Sequence, residues 1–174
     1  MDKKDKDKQF EELFYPSFDE LVARLDGFLE AISSISGQFR DFVFRAYSVS
    51  FNGTDVKRSI EDDLEKNPFR VWKIEQFRPI ENWITEIQFT FEKWFLKRPF
   101  SGNFDNLNKN YEHTKTELIY RAIDQIESLL PNNVEIDIFR FSTDSHDVKK
   151  SEWYAFGLRN SIVVIMLIEY QGNV

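Results

Sequence analysis

The sequence predicts an α+β fold, in which a single domain holds a mainly antiparallel sheet of about five or six strands with two long amphipathic helices packed on it. The coarse order of elements is α-β-α-β-β-α-β-β-β, and strands that follow one another without a helix favour antiparallel pairing. The second observation is a run of seven apolar residues, Ile162–Ile168. A strand without polar alternation is covered on both faces, so we expect this C-terminal strand to be central in the sheet.

Two segments have the spacing of three to four residues that is typical of amphipathic helices. The first runs from about Ser17 to Ser36, and Ser17 with Glu20 forms a capping box at its start. The second runs from about Tyr111 to Leu130 and is ended by Pro131. These are the two long helices that we expect to pack on the sheet.

The other segments read as strands and one short helix. Residues with strand preference and partial alternation occur in Phe39–Phe51, Phe69–Phe77, Val134–Phe141, Trp153–Leu158 and Ile162–Ile168. The segment from Thr54 to Lys66 predicts a short acidic helix with Val56, Ile60 and Leu64 on one face.

The segment from Ile80 to Phe95 fits two structures. Alternation between apolar and polar residues over Trp83–Glu92 predicts a strand. A helix that has Pro79 in its first turn also places the apolar residues on one face. The β-branched and aromatic residues favour the strand, and the helix stays open as the alternative.

Length and composition indicate one cytoplasmic domain. The chain has 174 residues, which is the size of one domain. Residues 1–10 carry mixed charge and are predicted to form a disordered tail, and residues 11–174 the domain. The absence of cysteine fits a reducing compartment. We expect no secretory signal and no membrane helix, since neither kind of apolar segment is found.

The charge and aromatic content bear on possible partners. The formal net charge is −7, from 23 Lys and Arg against 30 Asp and Glu. Such a balance disfavours nucleic acid and anionic membranes, and it suits a basic protein partner. The chain also contains 18 Phe, 4 Trp and 6 Tyr, so we expect some of these rings to line a surface or a pocket.

Motifs for catalysis and cofactor binding are missing from the sequence. The six glycines are too far apart for a dinucleotide fingerprint or a P-loop. Asp144, His146 and Asp147 form a polar cluster that a divalent metal could use, although a solvated turn is the more ordinary interpretation. We therefore expect no cofactor and favour a non-enzymatic role.

Two sets of residues are candidates for partner binding. The first concentrates negative charge on the short helix and comprises Glu61, Asp62, Asp63 and Glu65. Such a patch would attract a basic surface, although it is more often a solvated helix face. The second set, Phe100 and Phe104, lies in a polar loop predicted from Arg98 to Asn110, where the rings either anchor in the core or contact a partner.

These observations support two hypotheses of different class. The leading one is a non-enzymatic protein-interaction module, for example an immunity-type inhibitor of a basic toxin. The alternative is a small-molecule-binding or catalytic domain with an aromatic-lined pocket and a buried charge, such as Arg45, Asp137 or Arg140. A homodimer is a third possibility. The two long helices would cover only one face of the Ile162–Ile168 strand. A second subunit would cover the other face if neither a helical Ile80–Phe95 segment nor a second sheet does so.

Overall fold

The computed structural model describes residues 17–36, 41–67, 70–96, 105–131 and 135–171. Within these ranges the helices are α1 (Phe18–Ser36), α2 (Val56–Glu65), α3 (Trp83–Phe95) and α4 (Asp105–Leu129). The strands are β1 (Phe42–Ser50), β2 (Lys73–Pro79), β3 (Asp137–Asp144), β4 (Val148–Gly157) and β5 (Ser161–Tyr170). All neighbouring strands pair antiparallel, in the order β1-β5-β4-β3-β2. The predicted α+β fold is confirmed. The predicted tail at residues 1–10 lies outside the described residues.

Strand β5 contains the apolar run and lies inside the sheet. It pairs with β1 on one side, from Phe42 opposite Glu169 to Ser50 opposite Ser161 without a register shift, and with β4 on the other side. The middle position of the five-stranded sheet belongs to β4, directly beside β5. Within the run, every side chain except Met166 is buried. Both faces of β5 are therefore covered, as the lack of polar alternation predicts.

The first face of the sheet packs against three helices. Val163, Ile165 and Leu167 of β5 join one buried cluster with residues of α1, α3 and α4. Large rings fill the space between α3 and the sheet. The ring of Phe44 in β1 lies 5.7 Å from that of Trp94, edge to face, and 4.7 Å from that of Phe95. This is the larger core of the domain.

The second face of the sheet is covered by α2 and by the segment before β2. Val56 and Ile60 of α2 join a separate buried cluster with Ile162, Val164 and Ile168 of β5. The ring of Trp72 extends this cover across β4, since it meets Trp153 edge to face at 5.8 Å. From the sequence, we expect the second face of β5 to be covered by a helical Ile80–Phe95, by a second sheet or by another subunit. The short acidic helix α2 covers this face instead.

Gly157 allows α2 to begin close to the sheet. A Cβ atom at this position would lie 3.2 Å from Cγ2 of Val56 and 3.3 Å from the backbone oxygen of Asp137. Both distances are shorter than ordinary van der Waals contacts, so glycine at the end of β4 allows the first turn of α2 to pack there.

The prediction of a strand over Ile80–Phe95 is wrong, because residues 83–95 form helix α3. Ile87, Phe91 and Phe95 are fully buried at four-residue intervals, whereas Phe89 is 64% exposed. The strand pattern would have put Phe89 on the same face as Ile87 and Phe91. Packing of one helical face on the sheet thus overrides the strand preference of the individual residues.

Two boundaries also differ from the predictions. Asp105–Asn110, predicted as loop, is the first part of α4. Strand β3 continues to Asp144, so only residues 145–147 connect it to β4. The predicted start of α1 is confirmed, since the Glu20 amide donates to Ser17 Oγ at 3.3 Å. Within the described residues, no helix combines the length and hydropathy needed to cross a membrane.

We predict that Ile60→Ala lowers the free energy of unfolding by about 2–5 kcal/mol, because it leaves a cavity between α2 and the sheet. Ile60 is fully buried in the second cluster. The measurement is urea denaturation followed by circular dichroism. Ile84→Ala is the matched control, because Ile84 is 40% exposed, and we expect a change below about 1 kcal/mol. Equal effects of the two substitutions would show that α2 does not cover the sheet.

Candidate functional site

The four acidic residues predicted to bind a partner do not form one surface. Glu61 and Glu65, one helical turn apart, line a cleft of about 230 Å³ between α2 and β2, with Trp72 on its opposite side. Asp62 and Asp63 line a different cleft, of about 530 Å³, between α2 and the end of β1. The helical period of α2 therefore divides the cluster between its two sides.

Local hydrogen bonds fix the orientation of α2. Its N-cap is Asp55, whose side chain accepts a hydrogen bond from the Arg58 amide at 3.1 Å. Gly53, with φ of 88°, makes the turn that leads from β1 into this cap. The cap begins the helix so that Val56 and Ile60 face the sheet and the acidic residues flank them.

Asp63 differs from its acidic neighbours in its ion pairs. Glu61 lies 3.9 Å from Lys57, and Asp62 lies 3.1 Å from Arg58, both across one helical turn. Asp63 forms no ion pair with any described residue. Burial, and secondarily the charge of Asp63, raises the pKa of the Tyr47 hydroxyl beneath α2. The Asp63 carboxylate therefore has no cation of the described residues within ion-pair distance.

The cleft beside β1 is polar and open to solvent. Ser48 and Ser50 of β1 form one side, and Asp62, Asp63 and Lys66 of α2 form the other. Its charged lining is thus two carboxylates and one ammonium group. This composition suits a polar or basic chain segment better than an apolar ligand.

The polar cluster of Asp144, His146 and Asp147 is held by an ion pair. Both carboxylate oxygens of Asp147 accept hydrogen bonds from the Arg70 guanidinium. These hydrogen bonds hold the pKa of Asp147 below its ordinary value. Asp144 ends β3 and His146 is exposed in the following turn. Within the described ranges, no three His, Cys, Asp or Glu residues are grouped closely enough to hold a metal ion.

Arg70 belongs to an aromatic cluster that the sequence reading did not identify. Its guanidinium lies 5.1 Å from the ring centre of Trp72 and 4.8 Å from that of Tyr170. The pair with Asp147 and the two rings fix the segment that covers the second face of the sheet. In the structure, Asp147 thus pairs with Arg70, and Arg70 in turn contacts the ring of Trp72 over β4.

A second polar group lies under α3 and is centred on Glu152. This carboxylate accepts hydrogen bonds from Lys93 Nζ at 2.9 Å, from Arg140 Nη2 at 2.9 Å and from Trp94 Nε1. Burial alone would raise the pKa of Glu152, but the hydrogen bonds from Lys93 and Trp94, together with the positive charges of Lys93 and Arg140, outweigh burial and hold the pKa below its ordinary value. Glu86 lies 3.6 Å from the same Arg140. The group forms a charged network between α3 and the sheet.

A cleft of about 260 Å³ opens beside this network and is lined by Arg78, Arg140 and Glu152. Of the three residues predicted to supply a buried charge, Arg140 is the one that lines this cleft, and its side chain is partly exposed. Arg45 is half exposed and pairs with Asp26 at 2.8 Å, and Asp137 is exposed at the start of β3. Phe100 and Phe104 lie outside the described residues.

No protein-family model matches the chain, and no curated protein has a significantly similar sequence.

We predict that Glu152→Gln lowers the free energy of unfolding by about 2–4 kcal/mol at neutral pH, since it leaves Lys93 without its carboxylate partner and Arg140 with Glu86 alone. The lowered pKa means that this contribution is present above the ordinary glutamate pKa of about 4.3 and is lost as the pH falls through the folded-state pKa. The measurement is urea denaturation of both proteins at several pH values.

The gap between the two proteins should therefore narrow in acid. Glu81→Gln, at an exposed position, is the control and should change stability by less than about 0.5 kcal/mol. A gap between wild type and Glu152→Gln that does not change with pH would contradict the assigned role of the carboxylate.

Proposed function

We propose that this protein is a non-enzymatic interaction module that binds a basic protein through the cleft between α2 and β1. The observation that carries the proposal is the carboxylate of Asp63, which lines this cleft and has no ion pair among the described residues. Burying it against a partner cation would supply the missing pair and favour association of opposite charges. The net charge of −7 would add long-range attraction.

An immunity-type inhibitor is the concrete form that we propose for this module. Such a protein acts in the cytoplasm, and it blocks a basic toxin by covering the surface that the toxin needs. Complementary charge is well suited to this task because it raises the rate at which the partners meet. The acidic composition and the absence of cysteine support this version.

Affinity capture from the lysate of the native host tests the proposal. The baits are the wild-type protein, the double variant Asp62→Asn with Asp63→Asn, and the control Glu75→Gln, whose lost charge lies on the opposite edge strand β2. We expect wild type and control to retain the same basic protein at low ionic strength. The double variant should lose most of it, as should wild type at high salt, since surface charge attraction is screened by salt.

Two results would count against the proposal. One is recovery of no protein by any bait at low ionic strength. The other is equal recovery of the same proteins by wild type and by the double variant, which would show that the cleft carboxylates are not used.

A second candidate function is binding of a small anionic molecule beside the Glu152 network. The specific observation is the cleft of about 260 Å³, because Arg78 and Arg140 stand directly opposite each other in its wall. Glu86 pairs with both guanidinium groups, at 3.5 and 3.6 Å, so a bound anion would compete with this carboxylate. Paired guanidinium groups suit a carboxylate or phosphate. Thermal-shift measurements with phosphate esters and dicarboxylates test it: stabilisation is expected for wild type and should be lost in Arg78→Gln. No stabilisation by any of these anions would remove this candidate.

A further inference from the structure

The two edges of the sheet differ in how they are protected against pairing with another strand. The edge at β2 is irregular and charged. Gln76 has a positive φ of 53°, and the register with β3 shifts between Glu75 and Arg78. Bulges and charged side chains are the usual means by which proteins block an exposed edge. This edge is therefore unsuited to the addition of a strand.

The first part of the β1 edge is blocked by α1. The Ala46 amide donates to Asp26 Oδ1 at 2.9 Å, and Ser33 Oγ donates to the Phe42 carbonyl at 3.2 Å. These contacts also show which backbone groups point away from β5. In an antiparallel pair, alternate residues point outward, so the outward groups of β1 belong to the even-numbered residues.

The second part of the β1 edge is not covered by any described residue. By the same alternation, the amides and carbonyls of Ser48 and Ser50 point away from β5, and both residues are exposed. None of the described residues forms a hydrogen bond with these outward groups. The strand is regular here, with an unbroken register to β5 and small, uncharged residues at the outward positions. It therefore has the properties of an edge that accepts a further strand.

The acidic cleft lies directly along this open segment. Val49 faces α2, so the side chains of an added strand that point the same way would enter the cleft beside Asp62 and Asp63. The side chains of the added strand that point the other way would lie on the opposite face of the sheet, beside the side chains of Ser48 and Ser50. Alternate side chains of the added strand would thus contact carboxylates on one face of the sheet and serine hydroxyl groups on the other. This favours a basic residue at every second position and small polar residues between them.

We infer that the partner contributes an extended segment with alternating lysine or arginine, which adds to β1 at Ser48–Ser50 as a sixth strand of the sheet. The inference rests on the proposed function and specifies how the partner binds. Main-chain hydrogen bonds to Ser48 and Ser50 give affinity, and the ion pair with Asp63 selects a basic segment. The ammonium group of Lys66 lines the same cleft and would repel the basic side chains of the partner segment.

A second copy of this chain is a poor occupant of the same edge. Antiparallel pairing of two β1 strands has its two-fold axis perpendicular to the sheet. Both α2 helices would then lie on the same side, next to the junction, with Asp62 and Asp63 of each copy close to those of the other. Repulsion between the carboxylates of the two copies disfavours this pairing, whereas a basic segment would be attracted to them.

The test uses a fluorescent peptide that alternates lysine and threonine, added to the full chain at low ionic strength, with fluorescence anisotropy as the readout. We expect Asp63→Asn to weaken binding about fivefold and Lys66→Gln to strengthen it about threefold, by removing attraction and repulsion respectively. Glu75→Gln makes the same charge change as Asp63→Asn on the other edge, and it should have no effect.

The backbone contacts are tested separately from the charges. Ser48→Pro removes an outward amide that the ladder with β5 does not use, and an edge strand tolerates proline at such a position. We expect it to weaken binding at least about tenfold, whereas Ser48→Ala retains the amide and binds as wild type. If Ser48→Pro fails to fold, a peptide methylated on alternate backbone nitrogens replaces it, and this peptide should lose affinity for the wild-type protein.

The outcomes separate this inference from the proposed function. No binding of the unmodified peptide at low ionic strength would overturn strand addition by a basic segment. Dependence on Asp63 without any effect of Ser48→Pro or of the methylated peptide would also overturn it. In both cases the affinity capture of a folded basic protein still decides the proposed function. A dimer of the free protein that Ser48→Pro dissociates would identify a second copy as the occupant.

Discussion

The structure depends on the burial of β5 from both faces within one chain. Its apolar run can be stable in water only if each face is covered. Helices α1, α3 and α4 cover one face, and the small helix α2 with Trp72 covers the other. The position of α2 follows from this requirement: Val56 and Ile60 must face the sheet, so the acidic residues that follow Ile60 lie on the flanks of the helix.

This arrangement leaves the edges and flanks of the sheet for other contacts. Since both faces are used for the core, the polar groups collect at their borders. Glu152 and its cations occupy the border under α3, and Arg70 with Asp147 occupies the border beside Trp72. The border between α2 and the end of β1 differs, because the Asp63 carboxylate has no ion pair, and the outward backbone groups of Ser48 have no hydrogen bond, among the described residues.

Local patterns predicted much of the fold, and long-range contacts decided the rest. The capping box at Ser17 and the run at Ile162–Ile168 were sufficient to place α1 and β5. In Trp83–Phe95, two periodicities coexist, and only the packing of Ile87 and its neighbours on the sheet selects the helix. The division of the acidic residues was available from the helical period of α2. The pairing of Asp147 with Arg70 joins residues 77 positions apart, which no local pattern reports.

We conclude that, within the described residues, the sheet is covered on both faces and open at one segment of the β1 edge. Native-state hydrogen exchange of the free protein tests it most directly. Amides of β5 should exchange only through global unfolding, the Ala46 amide should be protected by Asp26, and the Ser48 and Ser50 amides should exchange nearly as fast as in an unfolded chain. Protection of Ser48 and Ser50 equal to that of Ala46 in the monomer, or rapid exchange throughout β5, would contradict the account.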